Sequence, residues 1–264
     1  MLKRTLPFAI AASLFAAPAF AAMPLVTDDT GTQGKGNLQI ELGTEFSRNR
    51  EDIDGLSVKE TGGEFSTALS YGLSDRIDLV AGLPWSWGKV RENGTTVYDD
   101  SGIQDLTLQL KWRFFESEDE RLSLALKPGI SLPTGDEEKD LGNGRLSGEV
   151  MFIATHAAKL GALHLNLGYI HNEYRLVEIR NASRKSIWHA SLAGELNVTE
   201  KLRTVADIGI ETSQDKESDT HPAYLLGGLI YGITDNLDLD LGIKGGLNEA
   251  ETDTALLAGV TMRF

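Results

Sequence analysis

From Asn37 to Phe264 the chain alternates apolar and polar positions with a period of two, the pattern of strands that bury one face. Leu38, Ile40, Leu42 and Phe46 interleave with Gln39, Glu41 and Glu45. Ile77, Leu79, Ala81, Leu83, Trp85 and Trp87 share a second face, and Leu106, Leu108, Leu110, Trp112 and Phe114 a third. Twelve such segments are readable, at about 37–48, 64–71, 76–87, 103–115, 121–132, 147–157, 162–170, 186–197, 202–211, 223–231, 236–244 and 253–264. Most have the roughly 9–11 residues that a tilted strand needs to cross a bilayer. The connections alternate in length. Long polar ones (49–63, 88–102, 133–146, 171–185, 212–222, 245–252) follow short ones (72–75, 116–120, 158–161, 198–201, 232–235) in turn. One hairpin is written twice, as Tyr71-Gly-Leu-Ser-Asp-Arg-Ile-Asp-Leu79 and Tyr231-Gly-Ile-Thr-Asp-Asn-Leu-Asp-Leu239, and Asn197 to Leu202 is a looser copy.

Short turns on one side and long loops on the other predict a twelve-stranded antiparallel up-and-down transmembrane β-barrel of the outer-membrane type. A secreted β-sandwich would also alternate, but three features favour the barrel. Aromatic residues gather near strand ends, at Tyr71, Trp85, Trp87, Trp112, Phe114, Tyr169, Trp188 and Tyr231, as an interfacial girdle requires. Val260, Met262 and Phe264 lie in phase at the C-terminus, a signal for the outer-membrane assembly machinery. The regular alternation of loop lengths is the third. Closure also pairs every backbone group in a lipid solvent that offers no partner.

Composition narrows the function. No run of 18 apolar residues exists, so no transmembrane helix is expected. The absence of cysteine removes disulfides, thiolate metal sites and a cysteine nucleophile. A net charge of −14 argues against a nucleic-acid partner. Lys3 and Arg4, an apolar stretch from Leu6 to Ala17 and the small-x-small motif Ala19-Phe20-Ala21 predict a cleaved signal peptide at residues 1–21. Residues 22–36 then form a periplasmic leader or a plug folded into the lumen, and residues 37–264 the barrel. The expected location is the outer membrane of a Gram-negative bacterium, with outer-membrane lipid as the surrounding partner and the oligomeric state open.

The opening of the mature chain, Pro24-Leu-Val-Thr-Asp-Asp-Thr-Gly-Thr-Gln-Gly-Lys-Gly36, resembles the transporter-like family labelled "putative meta-pathway of phenol degradation". Ser101-Gly-Ile-Gln-Asp-Leu106 with Lys111, and Gly129-Ile-Ser-Leu-Pro-Thr-Gly-Asp136, are similar to further blocks of that family. The resemblance covers Pro24 to Phe264. It implies an outer-membrane barrel that passes small organic, in particular aromatic, compounds.

If apolar residues face lipid, the opposite phase lines the lumen. It carries Glu41, Glu45, Glu64, Asp78, Asp105, Glu195, Asp207, Asp238 and Asp240, with Arg76, Lys111, Arg113, Lys127, Arg203 and Lys244. Buried charges need partners, and Arg76 beside Asp78, or Lys111 and Arg113 on the strand of Asp105, are candidates. These residues are either a salt-bridged filling or a polar pathway whose surplus of acids disfavours anions. Pro84 and Pro128, which cannot donate to the ladder, are candidate strand breaks.

Enzymatic chemistry finds little support. Some twelve-stranded barrels are phospholipases with a lipid-facing Ser and His. Here His189 and Ser191 share a face, but Trp188, Ala190 and Leu192 take the lipid phase, which turns the pair inward. His156, His164, His171 and His221 are scattered, and Asp136-Glu-Glu-Lys-Asp140 lacks the ligand spacing of a calcium loop, so no catalytic residue, metal or cofactor is expected. The sequence thus predicts a passive channel or facilitator for a small-molecule solute, in either direction. The alternative is a closed structural or surface-interaction barrel whose long acidic loops bind a partner.

Overall fold

A computed structural model describes residues 23–53 and 55–264, so the expected signal peptide lies outside the described residues. The strands are β1 (Leu38–Ile53), β2 (Leu56–Ser74), β3 (Ile77–Glu92), β4 (Thr95–Ile103), β5 (Leu106–Glu116), β6 (Leu122–Leu132), β7 (Ser147–Ala158), β8 (Gly161–His171), β9 (Ser186–Asn197), β10 (Leu202–Glu211), β11 (Ala223–Thr234), β12 (Leu237–Gly246) and β13 (Thr254–Arg263). Each pairs antiparallel with its neighbours, and β13 closes on β1 from Gln39↔Arg263 to Arg48↔Thr254. One short helix, α1 (Val177–Ala182), sits in the loop after β8.

β4 and β5 are two halves of one barrel strand. Both run antiparallel to β3, β4 along Trp85–Glu92 and β5 along Ile77–Gly82. The ring therefore has twelve strands, one of them interrupted at Gln104-Asp105. Pro84 stands opposite the interruption. Its carbonyl accepts a 2.9 Å bond from the Gln104 amide, but proline has no N–H to return. The gap in the ladder anchors loop 133–146 instead. Asp105 accepts 2.9 Å bonds from the amides of Gly135 and Asn143, and Thr134 Oγ1 accepts one from the Leu106 amide. Asp105 thus holds an extracellular loop and does not pair with Lys111 or Arg113 in the lumen.

Two expected loops are strands. Segments 49–63 and 88–102 continue as hairpins, with ladders running to Ile53↔Leu56 and Glu92↔Thr95. Their mixed polarity hides them, because a strand wet on both faces loses the alternation while its backbone ladder persists. The turn chemistry was readable. Asn93 and Gly94 both have positive φ, 47° and 85°, as a two-residue hairpin turn that matches strand twist demands.

The outer face is apolar and exposed along the strands, while polar side chains are buried on the inner one. Tyr71, Trp112, Phe114 and Tyr231 lie near the short-turn ends of their strands. Trp85, Trp87, Tyr169 and Trp188 lie toward the opposite rim, with the Tyr169 and Trp188 rings 4.7 Å apart. Val260, Met262 and Phe264 extend along the same outer phase of the last strand.

Candidate functional site: a lumen crossed by the leader

The interior is built from the polar phase of each strand. Near the short-turn rim Arg203 bridges Glu195 at 2.8 Å and Asp238 at 3.1 Å, and Arg263 reaches the same Asp238 oxygen at 2.9 Å. Arg113 pairs with Glu116 at 3.2 Å and donates to the Asp75 carbonyl. Arg76 lies exposed in the turn before β3, outside the lumen, and the Asp78 carboxylate instead accepts the Gln33 amide. Asp240, 4% exposed, lies against Gly259, and neither of its oxygens is hydrogen-bonded among the described residues. Toward the other mouth Lys244 stands 3.5 Å from Glu45 and 3.8 Å from Glu251. Burial pushes the Glu251 carboxyl above the usual carboxylate range, with Lys244 opposing the shift.

The leader, residues 23–36, runs into this interior. It enters beside β2, where the Gly36 amide donates to the Gly72 carbonyl. A Cβ at Gly72 would stand 1.8 Å from the Gly34 carbonyl oxygen, so only glycine admits the leader there. Thr30 bonds Ser123 at 2.5 Å and takes up the Thr155 hydroxyl through its amide. Asp28 is the centre of the seat. Its carboxylate accepts 2.8 Å bonds from Lys111 and Lys127, and its amide and carbonyl pair with the two ends of the Asn166 side chain. Lys127 is only 1% exposed. The amides of Val26 and Thr27 both donate to Asp207, whose other oxygen takes the hydroxyls of Thr27 and Tyr224.

Apolar packing completes the seat. Leu25 joins a buried cluster with Ala193, Val205, Tyr224, Leu226, Ile230, Ala255 and Leu257. Pro24 lies on a cross-strand pair of glycines, Gly228 and Gly242. A Cβ at Gly242 would stand 2.9 Å from Pro24. Gly242→Val should therefore lift that end of the leader and leave the β12 ladder, which accommodates valine, intact. The expected result is a severalfold rise in cleavage of the leader by added protease, with the folded barrel still running as a compact band in unheated gels.

The seated leader divides the lumen. On one side is a vestibule of about 2100 Å³, its open mouth included, reaching from Met23, Leu25 and Val26 to loop residues Asp215, Pro222 and Ala250. On the other is a smaller cavity of about 670 Å³, its opening to solvent included, bordered by Thr27, Thr30, Arg113, His164, Glu195 and Arg203. Leu25 borders both.

His189 and Ser191 do point inward, as their phase required. Ser191 shares a 2.8 Å hydrogen bond with Thr27, and His189 Nδ1 lies 3.8 Å from Glu211. The two serve the leader and the vestibule wall. Among the described residues no group of three or more His, Asp or Glu is placed to hold a metal. Of the charges expected in the lumen, Arg76 lies outside it and Asp105 holds a loop, and sequence reasoning did not name Asn166, Ser123, Thr155 and Tyr224, which hold the leader. Their only signal is that they sit in the inward phase of apolar-out strands.

A closed antiparallel ring with an apolar outer face, two aromatic belts and a charged interior defines an outer-membrane β-barrel. The family described as "Putative MetA-pathway of phenol degradation" matches residues 23–264, and the chain belongs to it. No curated protein sequence matches. Among solved structures the chain is similar to the COG4313 outer membrane channel of Pseudomonas putida F1, with 17% identity and a TM-score of 0.68 over 89% of this chain and 98% of that one. It is also similar to the translocator domain of the autotransporter NalP of Neisseria meningitidis, at 12% identity, TM-score 0.53, and 88% and 89% coverage. The toluene transporter TbuX of Ralstonia pickettii gives 8% identity, TM-score 0.51, and 87% and 89% coverage. The protein is a barrel of the bacterial outer membrane.

Proposed function

We propose that the protein is a passive outer-membrane channel for small organic solutes, gated by its own leader. One observation carries this reading. The leader lies between two cavities, held mainly by side-chain hydrogen bonds and one carboxylate shared by two lysines, while the barrel wall is complete without it. A segment seated by polar contacts inside a closed wall can leave without breaking the ladder. Flux then requires only that residues 23–35 shift. Selectivity comes from bore, lumen charge and the extracellular loops. Aromatic compounds are the first cargo to test, since the chain shares its fold with a toluene transporter. No catalytic step is assigned, because Ser191 is engaged by the leader and turned from the lipid face.

The test is solute uptake by liposomes carrying the refolded chain, comparing phenol-like aromatics, sugars and simple ions, with and without residues 23–35. Uptake that rises on deletion is the expected result. Unchanged permeability sinks the gate. No uptake by either folded form sinks the channel and favours a closed barrel that acts through its acidic loops.

A further inference from the structure

The vestibule has a chemical bias that a general solute channel does not need. Its lining includes seven acidic side chains against two lysines. Both lysines are engaged, Lys127 by Asp28 and Lys244 by Glu45 and Glu251. Glu45 and Glu64 are direct cross-strand partners with both side chains on the vestibule wall. Like charges directly opposite one another destabilise a sheet, so the pair costs stability that an apolar or mixed pair would not.

The floor makes a second, independent demand. Glu41 and Gln109 are 8% and 6% exposed and line the vestibule, yet Oε1 of each has no donor among the described residues. Gln109 has already turned its amide nitrogen to Glu149, at 2.5 Å. A buried acceptor left without a donor is costly. The floor therefore calls for a ligand that brings donors, and the wall calls for one that brings positive charge. An ammonium group supplies three donors and no lone pair. Met23, Leu25, Val26, Met151 and Leu257 offer apolar surface beside these acceptors, which suits an organic body better than a bare ion.

We infer that the outer vestibule binds organic cations, a protonated amine carried on an aromatic or aliphatic body. The inference rests on the channel reading for its role as a cargo site, but the binding stands on the vestibule alone. Glu41 and Gln109 take the ammonium hydrogens, and the carboxylates of Glu45, Glu64, Glu211 and Glu251 provide the surrounding negative potential. A carboxylate-bearing analogue meets an excess of like charge there, with both lysines already engaged.

Three probes of similar size test this on the full refolded chain: phenethylamine, phenethyl alcohol and phenylacetate. Calorimetry on the detergent-solubilised barrel should show the amine binding at least tenfold tighter than the alcohol, with no measurable binding of the acid. Affinity for the amine should fall as salt is raised, because the attraction is screened. The double variant Glu64→Gln with Glu211→Gln should lower amine affinity about tenfold and leave the alcohol unchanged. If that variant does not fold, the ranking of the three probes on the unaltered chain still decides. Equal binding of amine and alcohol, or tighter binding of the acid, overturns the site. Liposome flux of the same probes separates the two readings. Amine binding without flux of any probe overturns the channel and keeps the site, whereas flux with no preference for the amine in binding overturns the site and keeps the channel.

Discussion

Asp28→Ala should turn a nearly closed barrel into an open one, with single-channel conductance and liposome solute flux rising severalfold. The carboxylate it removes is the shared partner of Lys111 and Lys127, each at 2.8 Å and both buried. Breaking a buried ion pair by deleting one member costs about 3–5 kcal/mol, because the remaining charge is stranded. The leader's other polar contacts, to Asp207, Asn166, Ser123 and Thr155, contribute on the order of 1 kcal/mol each. Loss of the central pair is therefore comparable to the rest of the polar seat. Two buried lysines deprived of this carboxylate would also draw water into the lumen. Replacing all three charges, Asp28→Ala with Lys111→Met and Lys127→Met, should bring conductance back toward the unaltered value. Apolar replacement of a whole buried ionic group is often neutral or stabilising. If Asp28→Ala conducts like the parent protein, the leader is not held by this pair.

Leu241→Arg and Asp240→Asn should part company although the residues are neighbours. Leu241 is 64% exposed at the middle of β12, on the face turned to lipid. An arginine at the bilayer midplane of a barrel costs about 2–4 kcal/mol. Asp240 is buried on the opposite face, and neither oxygen is hydrogen-bonded among the described residues. Neutralising it removes an uncompensated charge and should leave stability unchanged or raised. Denaturant unfolding from lipid vesicles measures both. Leu241→Arg as stable as the parent protein would mean the faces are assigned the wrong way round.

The two faces were legible because hydropathy alone sets them, so nine of the strands begin and end within three residues of the pattern. The hairpins above the bilayer were not, since Glu51, Asp52, Arg91 and Glu92 stand in water on both sides and carry no alternation. Asn93-Gly94 marked one hairpin all the same. The strand interruption at Gln104-Asp105 had a partial signal in Pro84 across the ladder, and Pro128, though paired with β7, borders a gap on its β5 side, where the ladder passes from Gln109↔Gly129 to Trp112↔Leu126. Charge pairing was the least readable. Arg76 with Asp78 looked plausible from spacing, yet partners depend on how strands stagger around the ring. Asp28 meets lysines 83 and 99 residues away, a distance that no local pattern encodes. That the leader mixes Leu25 and Val26 with Thr27-Asp28-Asp29-Thr30 was the sequence's one hint that it belongs inside.

The remoteness of those contacts fixes an order of events. Thr27 reaches Asp207 across 180 residues, and Asp28 reaches Asn166 across 138, so the leader has nothing complete to dock on until the strands through β10 have paired. Docking is then among the last steps of folding and contributes little to the rate-limiting barrier. Interactions formed after the transition state slow unfolding without speeding folding. A barrel without its clasp should consequently assemble at the same pace as the full chain and come apart sooner.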